Sequence, residues 1–398
     1  MRILYVTTSF PVFSETFLQR EVRALLEIGA ELDILSLHKG SADFEGHPVR
    51  LFSKWSLLTL FIWLPWWGIR KPRELVRLMT RLNACQPASL LNLFENLLGF
   101  GAALVDARTM SKRNYDCVHC VWSGGPAAYG MLLAELTGLP FSTGAHAYDV
   151  FEHGGDWLLE EKLARAALVH TSTDVARKRI RRLCDPAKAR LIRRGLNRLP
   201  AFEKPRLSWP QLRIVCVARL VEKKGFPYQV AIYRALLDAG VDFEARIIGD
   251  GPLEDSLRGW IEQSGLGGRV FLMGRVGEAE VMRQLEWADL LFHTGVVAAS
   301  GDRDGLPNVI PEAMASGAIV IASPVSGVVE AIANERTGLL RPVTEPEGWV
   351  AACRRLQVDR TLRDRLARSA RDWVEREFVA KRNSARLLQE LSRVLNIE

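Results

Sequence analysis

Six cysteines are scattered through 398 residues. They offer no framework for a disulfide-stapled secreted domain and fit a reducing cytosol. Cys117 and Cys120 have the spacing of a metal or redox pair, but they stand in a strand-like run, where positions three apart face opposite sides. They therefore read as structural. No cluster of His, Asp and Glu has metal-ligand spacing, so no metal or other cofactor is expected. No Gly-x-Gly-x-x-Gly follows the first strand-like run, residues 2–7, which argues against a dinucleotide-dependent dehydrogenase. No period of repeat-protein length recurs. The opening Met1-Arg2-Ile3-Leu4-Tyr5-Val6 reads as a buried strand, not a cleavable leader. An uncharged apolar run, residues 55–69, has 15 residues, where a membrane span needs about 20, and Pro65 is expected to break it.

What is present suits two globular domains. Apolar residues make up 48% and charged residues 25% of the chain, enough for two full cores at this length. Strand-like and helix-like runs alternate through most of the sequence, so the fold class is α/β. An interruption, residues 39–113, falls inside the first half and reads as a helical insertion. Residues 200–210 carry three prolines in 11 positions and read as a linker. The expected division is 1–203, 204–375 and a C-terminal helix, 376–398.

The most informative run is Gly301-Asp302-Arg303-Asp304-Gly305-Leu306-Pro307-Asn308, followed by Glu312. It lies between two strand-like runs, so it is a loop at the carboxyl end of a strand, where open α/β sheets bind ligands. Asn308 is expected to cap a helix of about eight residues that Gly317 ends. The start of such a helix suits a phosphate. Glu312, one turn in, can accept hydrogen bonds from two sugar hydroxyls. Asp304 stands on the loop ahead of it. Arg219 and Lys224 flank the loop after another strand, and a planar fork beside a compact charge suits a diphosphate. The glycines of Gly249-Asp250-Gly251-Pro252 are expected to let the backbone approach a ligand closely, and Arg275 lies on the loop at 274–277. Four successive loops thus point one way, toward a phosphorylated sugar or nucleotide sugar.

In this order, the Arg-x4-Lys-Gly loop, the Gly-Asp-Gly-Pro loop and the acidic-x7-Glu run resemble the retaining glycosyltransferases of family 4 over nearly the whole chain. The resemblance implies the GT-B fold, two Rossmann-like domains facing each other across a cleft, with the last helix crossing back to the first domain. Phe10-Pro11-Val12-Phe13-Ser14-Glu15-Thr16-Phe17 is similar to the subgroup that builds exopolysaccharide and lipid-linked oligosaccharides. The implied roles follow position by position. Arg219 and Lys224 hold the donor diphosphate, Glu312 the ribose, and Asp304, where the family usually has Glu, the donor sugar. His146 touches that sugar near the reacting carbon. Gly249, Gly251, Arg275, Gly305, Leu306, Pro307 and Asn308 complete the donor side. Phe10, Ser14, Glu15, Thr16, Tyr148 and Asp149 lie on the acceptor side, although Asp149 reads equally as a cap for the next turn. His119 and His293 end strands and read as structural. The implied partners are a UDP- or GDP-sugar and a saccharide acceptor, polyprenyl-linked. The chain departs from the pattern at Thr7-Thr8-Ser9-Phe10, where many relatives have a double glycine, and at His119-Cys120-Val121-Trp122, where many read His-x-His. A sugar-nucleotide epimerase or a silent nucleotide-sugar binder on the same fold stays open as an alternative.

Residues 55–69 hold four tryptophans and precede Arg70 and Lys71, a composition that suits the headgroup zone of a bilayer. A pair of core helices is the competing reading. The stretch 177–194 packs nine basic residues into 18 positions. It reads as a solvated helix face or as an attraction to anionic lipid. No nucleic-acid partner is expected, because no aromatic set interleaves with the charges. The expected location is cytoplasmic, peripheral on the inner face of the cell membrane.

Overall fold

The computed structural model describes every residue except Ser14, 203–208 and Glu398. The expected acceptor residue Ser14, the middle of the linker and the expected boundary at 203/204 lie outside the described residues. The chain divides into two compact units, Met1–Arg193 with Ala380–Glu398, and Arg194–Val379.

Among the described residues, the first unit is built on eight strands: β1 (Arg2–Phe10), β2 (Glu31–Gly40), β3 (Asp43–Phe44), β4 (His47–Leu51), β5 (Cys117–Cys120), β6 (Phe141–Gly144), β7 (Leu168–Thr171) and β8 (Ala189–Leu191). Their order is β3-β4-β2-β1-β5-β6-β7-β8. All pairs are parallel except β3 with β4. Every residue of β5, β6 and β7 is buried, as expected when helices cover both faces of a parallel sheet. Cys117 and Cys120 are free and buried in β5, and burial pushes the Cys117 thiol up to about 12. The helix Ala380–Leu395 belongs to this unit: Leu387 and Leu391 pack against Ile3, Cys117, Leu168 and Ile192, and Glu390 pairs with Arg190 at 2.7 Å. The closing helical stretch, expected over about 361–396 with a break, is two helices, Arg360–Glu377 and Ala380–Leu395. The break falls where Leu196 N–H bonds Phe378 O at 3.0 Å.

The insertion is only partly helical. Its first residues form β3 and β4, and β4 extends the sheet beside β2. The helix Leu60–Arg70 also runs straight through Pro65. A proline removes the donor to the carbonyl four residues back. Here that carbonyl belongs to Phe61, a solvent-exposed residue, so water can replace the lost bond. The tryptophans of this region divide between inside and outside. Trp67 is buried and its Nε1 donates to Leu104 O at 2.9 Å. Trp63 and Trp66 pack partly against the same core, whereas Trp55 is 80% exposed. Trp67→Ala should therefore cost about 3–5 kcal/mol, while Trp55→Ala stays within about 0.5 kcal/mol. Parallel thermal unfolding of the two variants checks this, and equal losses would contradict the division.

The second unit carries β9 (Leu212–Val217), β10 (Phe243–Ile248), β11 (Val270–Gly274), β12 (Leu290–His293), β13 (Ile319–Ala322) and β14 (Leu339–Leu340), all parallel, in the order β11-β10-β9-β12-β13-β14. The chain builds outward from β9 through β10 to β11, then returns to place β12 on the other side of β9. The β9/β12 boundary is thus the topological switch point, where the two following loops diverge and leave a crevice at the strand ends.

Candidate active site

The loops after β9 and β12 are laced together. After β9 the chain passes Arg219, which is exposed, and makes a short turn, Glu222–Lys224. Gly225 follows at φ +69, and a Cβ there would lie 2.0 Å from Thr294 O. Only glycine accommodates both the left-handed backbone and the contact. Val296 N–H donates to Lys223 O at 2.8 Å, and Ala299 N–H to a Glu222 carboxylate oxygen at 2.9 Å.

This lacing brings the expected charges together. Lys224 Nζ lies 2.6 Å from Asp304 Oδ2, across 80 positions of sequence. His293 Nε2 lies 3.1 Å from the same oxygen, and Lys223 pairs with Asp302 at 2.7 Å. Burial alone would raise the Asp304 carboxyl, but Lys224, His293 and Lys223 outweigh it and hold it well below the usual carboxylate range. His293 is therefore not only a strand-end residue: it is a direct partner of the loop carboxylate. Lys223, Asp302 and His293 are the site residues that sequence reasoning missed. The repeated pairing, Lys223-Lys224 against Asp302-x-Asp304, is the signal that points to the first two.

The helix after this loop is Val309–Ser316, and Gly317 ends it in the left-handed conformation at φ +93. Asn308 does not cap it with its side chain: its backbone is already helical, and its carbonyl accepts the Glu312 N–H at 3.1 Å. An N-cap side chain needs an extended backbone to fold back on the first turn. Glu312 is buried, one turn inside the helix. Gly305, Leu306 and Pro307 form the approach to the helix, with Leu306 packed partly on the core.

The glycines after β10 serve the protein itself. A Cβ on Gly249 would lie 1.9 Å from Ala218 O, and one on Gly251 2.6 Å from Leu220 O. They let this loop pack closely against the loop after β9. Arg275 pairs with Asp250 at 3.6 Å on the surface, each about half exposed.

In the first unit, His146 follows β6, buried, with its ring 5.3 Å from that of Trp122 and 5.4 Å from that of His170. Tyr148 lies 5.8 Å from Trp122. Asp149 sits inside the helix Ala147–Phe151, and its Oδ2 accepts the Ser123 N–H at 2.9 Å. Burial pushes its carboxyl up to about 7, against the pull of the backbone donors. Phe10 is also corrected. It is fully buried against Phe44, ring centroids 4.8 Å apart, because β1 runs on to this residue. It is core, not acceptor surface. Glu15 and Thr16, half-buried, start the helix Thr16–Glu27. His119 is buried beside the Ser142 hydroxyl at 2.8 Å.

The family description "Glycosyl transferases group 1" matches residues 200–373. The chain is 30% identical over 420 residues to the putative colanic acid biosynthesis glycosyltransferase WcaL of Escherichia coli K12, covering 98% of this chain and 100% of that one. It is 29% identical over 427 residues to the amylovoran biosynthesis glycosyltransferase AmsK of Erwinia amylovora, with the same coverage. Among solved structures, Anabaena HepE in complex with UDP and glucose shares the fold, with a TM-score of 0.72 at 16% identity over 99% of this chain and 100% of that one. Full-length kinship at this level, on two parallel α/β units with a strand-end site, has one reading: the chain belongs to the group 1 glycosyl transferases, the family 4 glycosyltransferases of GT-B fold.

Proposed function

We propose that this glycosyltransferase is a retaining hexosyltransferase that takes a sugar from a UDP- or GDP-sugar and delivers it to a polyprenyl-linked saccharide. It works at the cytoplasmic face of the membrane, in assembly of an exopolysaccharide. The observation that carries the reading is the Lys224–Asp304 pair at the β9/β12 switch point, beside a helix start with a buried Glu312 one turn in. The biosynthetic roles printed for WcaL and AmsK, and the UDP held by HepE, support the same class of donor and product.

The proposed chemistry uses this pair as an exchange. When a nucleotide sugar arrives, Lys224 turns from Asp304 to the diphosphate, where Arg219 and the helix start at Val309 share the charge. Asp304, released, accepts hydroxyls of the transferred sugar while His293 keeps it oriented. Charge that develops on the leaving diphosphate meets fixed positive groups, which lowers the barrier without an obligatory metal. The acceptor hydroxyl gives its proton to the departing phosphate oxygen, so it enters on the face the diphosphate leaves, and configuration is retained. His146 is assigned to the transferred sugar on the family resemblance.

Labelled nucleotide sugars incubated with a lipid-linked acceptor test the reading, with anomeric configuration assigned by NMR. Product of inverted configuration, or no transfer from any nucleotide sugar, would sink it. Glu312 is assigned to the ribose. Glu312→Gln keeps the shape but loses charge-assisted acceptance, worth roughly 1.5–3 kcal/mol. Affinity for the plain nucleoside diphosphate should fall about 10- to 150-fold on that basis, and unchanged affinity by calorimetry would reject the assignment.

A further inference from the structure

We infer that the outer face of residues 54–97 is a docking surface for an anionic lipid bilayer. The inference rests on the proposed lipid-linked acceptor and names the part of the chain that meets the membrane. Of the twenty large apolar side chains left exposed among the described residues, thirteen fall between Leu51 and Leu97. Scattered exposed apolar residues need no explanation, but a concentration of this kind marks an interaction site.

The exposed residues lie on elements that pack against one another. Leu90, Phe94 and Leu97 recur at three- and four-residue spacing, so they share one stripe of the helix Leu90–Met110. The second half of that helix is core: Phe100, Leu104, Ala107 and Met110 are buried. Gly101 continues the stripe one turn beyond Leu97. There the side chains of Leu57 and Leu60 cover it, 2.8 and 3.6 Å from where a Cβ would stand. The turn that lays Leu57 and Leu60 on Gly101 leaves Trp55, Leu58 and Phe61 exposed. The stripe therefore leads from Leu90 toward this second apolar group, with Leu57 and Leu60 between them on Gly101. The helix is long and apolar enough to cross a membrane by length and composition, with 44% of its apolar window buried. With its second half in the core, only its first half is available to lipid.

Charge decides the occupant. Between residues 54 and 113 there are nine Lys and Arg and three acidic residues. Arg70 and Arg108 hold their guanidinium groups 4.6 and 5.6 Å from the ring of half-buried Trp66, and Arg70, Arg73 and Arg77 are exposed. An apolar centre with cations around it matches the acyl boundary and anionic headgroups of a bilayer. A second copy of the same face would set like charges against each other. The basic stretch 177–194 contributes less than its composition suggests: Arg177 and Lys178 pair with Asp174, Arg190 pairs with Glu390, and Arg194 is buried.

The test uses the full chain with vesicles of phosphatidylglycerol and phosphatidylethanolamine, and with vesicles of phosphatidylcholine alone. Co-sedimentation should favour the anionic vesicles and persist in part at high salt. The triple change Phe61→Asn, Phe94→Asn and Leu97→Asn should weaken binding by more than about 10-fold at either salt concentration. The triple change Arg70→Glu, Arg73→Glu and Arg77→Glu should abolish the preference for anionic vesicles. Thermal unfolding of both variants establishes that they remain folded, and each reads a separate component of the surface. Wild type that binds neither vesicle overturns the inference, as does an apolar variant that binds as wild type. A concentration-dependent dimer that the apolar variant abolishes also overturns it, in favour of a second copy. Transfer to a water-soluble saccharide acceptor separates the two readings. Failure of that transfer with vesicle binding intact sinks the enzymatic proposal and leaves the surface standing. Transfer that proceeds without any vesicle binding does the reverse.

Discussion

Lys224→Ala should lower kcat/KM by about 10²–10³-fold, the usual cost of removing one preorganised donor from a developing anion, while the protein still folds. Lys224 lies 2.6 Å from Asp304, and it is the cation that the crevice between β9 and β12 keeps in place before any ligand arrives. Its removal does not strand the carboxylate, because His293 at 3.1 Å and Lys223 at 4.0 Å remain beside it. Arg219→Ala should cost a similar factor for a different reason. Arg219 is exposed at the same loop, so its contribution arises only when the diphosphate is bound. Steady-state kinetics with the identified donor, alongside thermal unfolding, checks both. If the two single variants each keep half of wild-type turnover, the diphosphate clamp is wrong.

Lys162→Met should lower the melting temperature of the first unit by about 6–20 °C. This follows from roughly 3–5 kcal/mol for breaking a buried ion pair and about 2–4 °C per kcal/mol at this size. The Lys162 side chain is fully buried, and its ammonium bonds Asp156 and Asn96 as well as Ser123 O at 2.8 Å and Gly124 O at 3.3 Å. Asp156 also accepts from Asn92. Burial draws the Lys162 pKa down and Asp156 opposes that shift, so the lysine depends on its partner for its charge. Without Lys162, Asp156 is left as an uncompensated buried carboxylate. The node also ties the helix Leu90–Met110 to the loop after β5, the same loop that Asp149 holds through Ser123. The double change Lys162→Met and Asp156→Asn removes the stranded charge and should recover at least half of the loss. A single variant that melts within about 2 °C of wild type would show that the pair contributes little.

Much of the second unit could be read from the chain in order. The strand Phe243–Ile248, in which Glu244 and Arg246 alternate with apolar residues, lies where the sequence places it, and β9, β11, β12 and β13 differ from their expected positions by a residue or so at the ends. Gly317 ends its helix as expected. Arg219, Lys224, Asp304 and Glu312 were visible as candidates because each sits on the loop that follows a strand or in the first turn of the helix after it, and short-range pattern is enough to place such connections. Pattern was less informative in the insertion. There, one uncharged run supplies both a core tryptophan, Trp67, and an exposed one, Trp55, and composition does not distinguish them.

Periodicities, strand-end loops and the family resemblance are legible in the chain because they depend on residues close together in it. What depends on distant neighbours came from the fold. It set β12 beside β9 and so joined Lys224 to Asp304 across 80 residues. It closed the buried node between Asn96 and Lys162 across 66, and it gave His293 a carboxylate partner and Phe10 a place in the core. A side chain's type limits which contacts it can make, but whether it meets water, a counter-charge or an apolar wall depends on which strand the fold lays next to it.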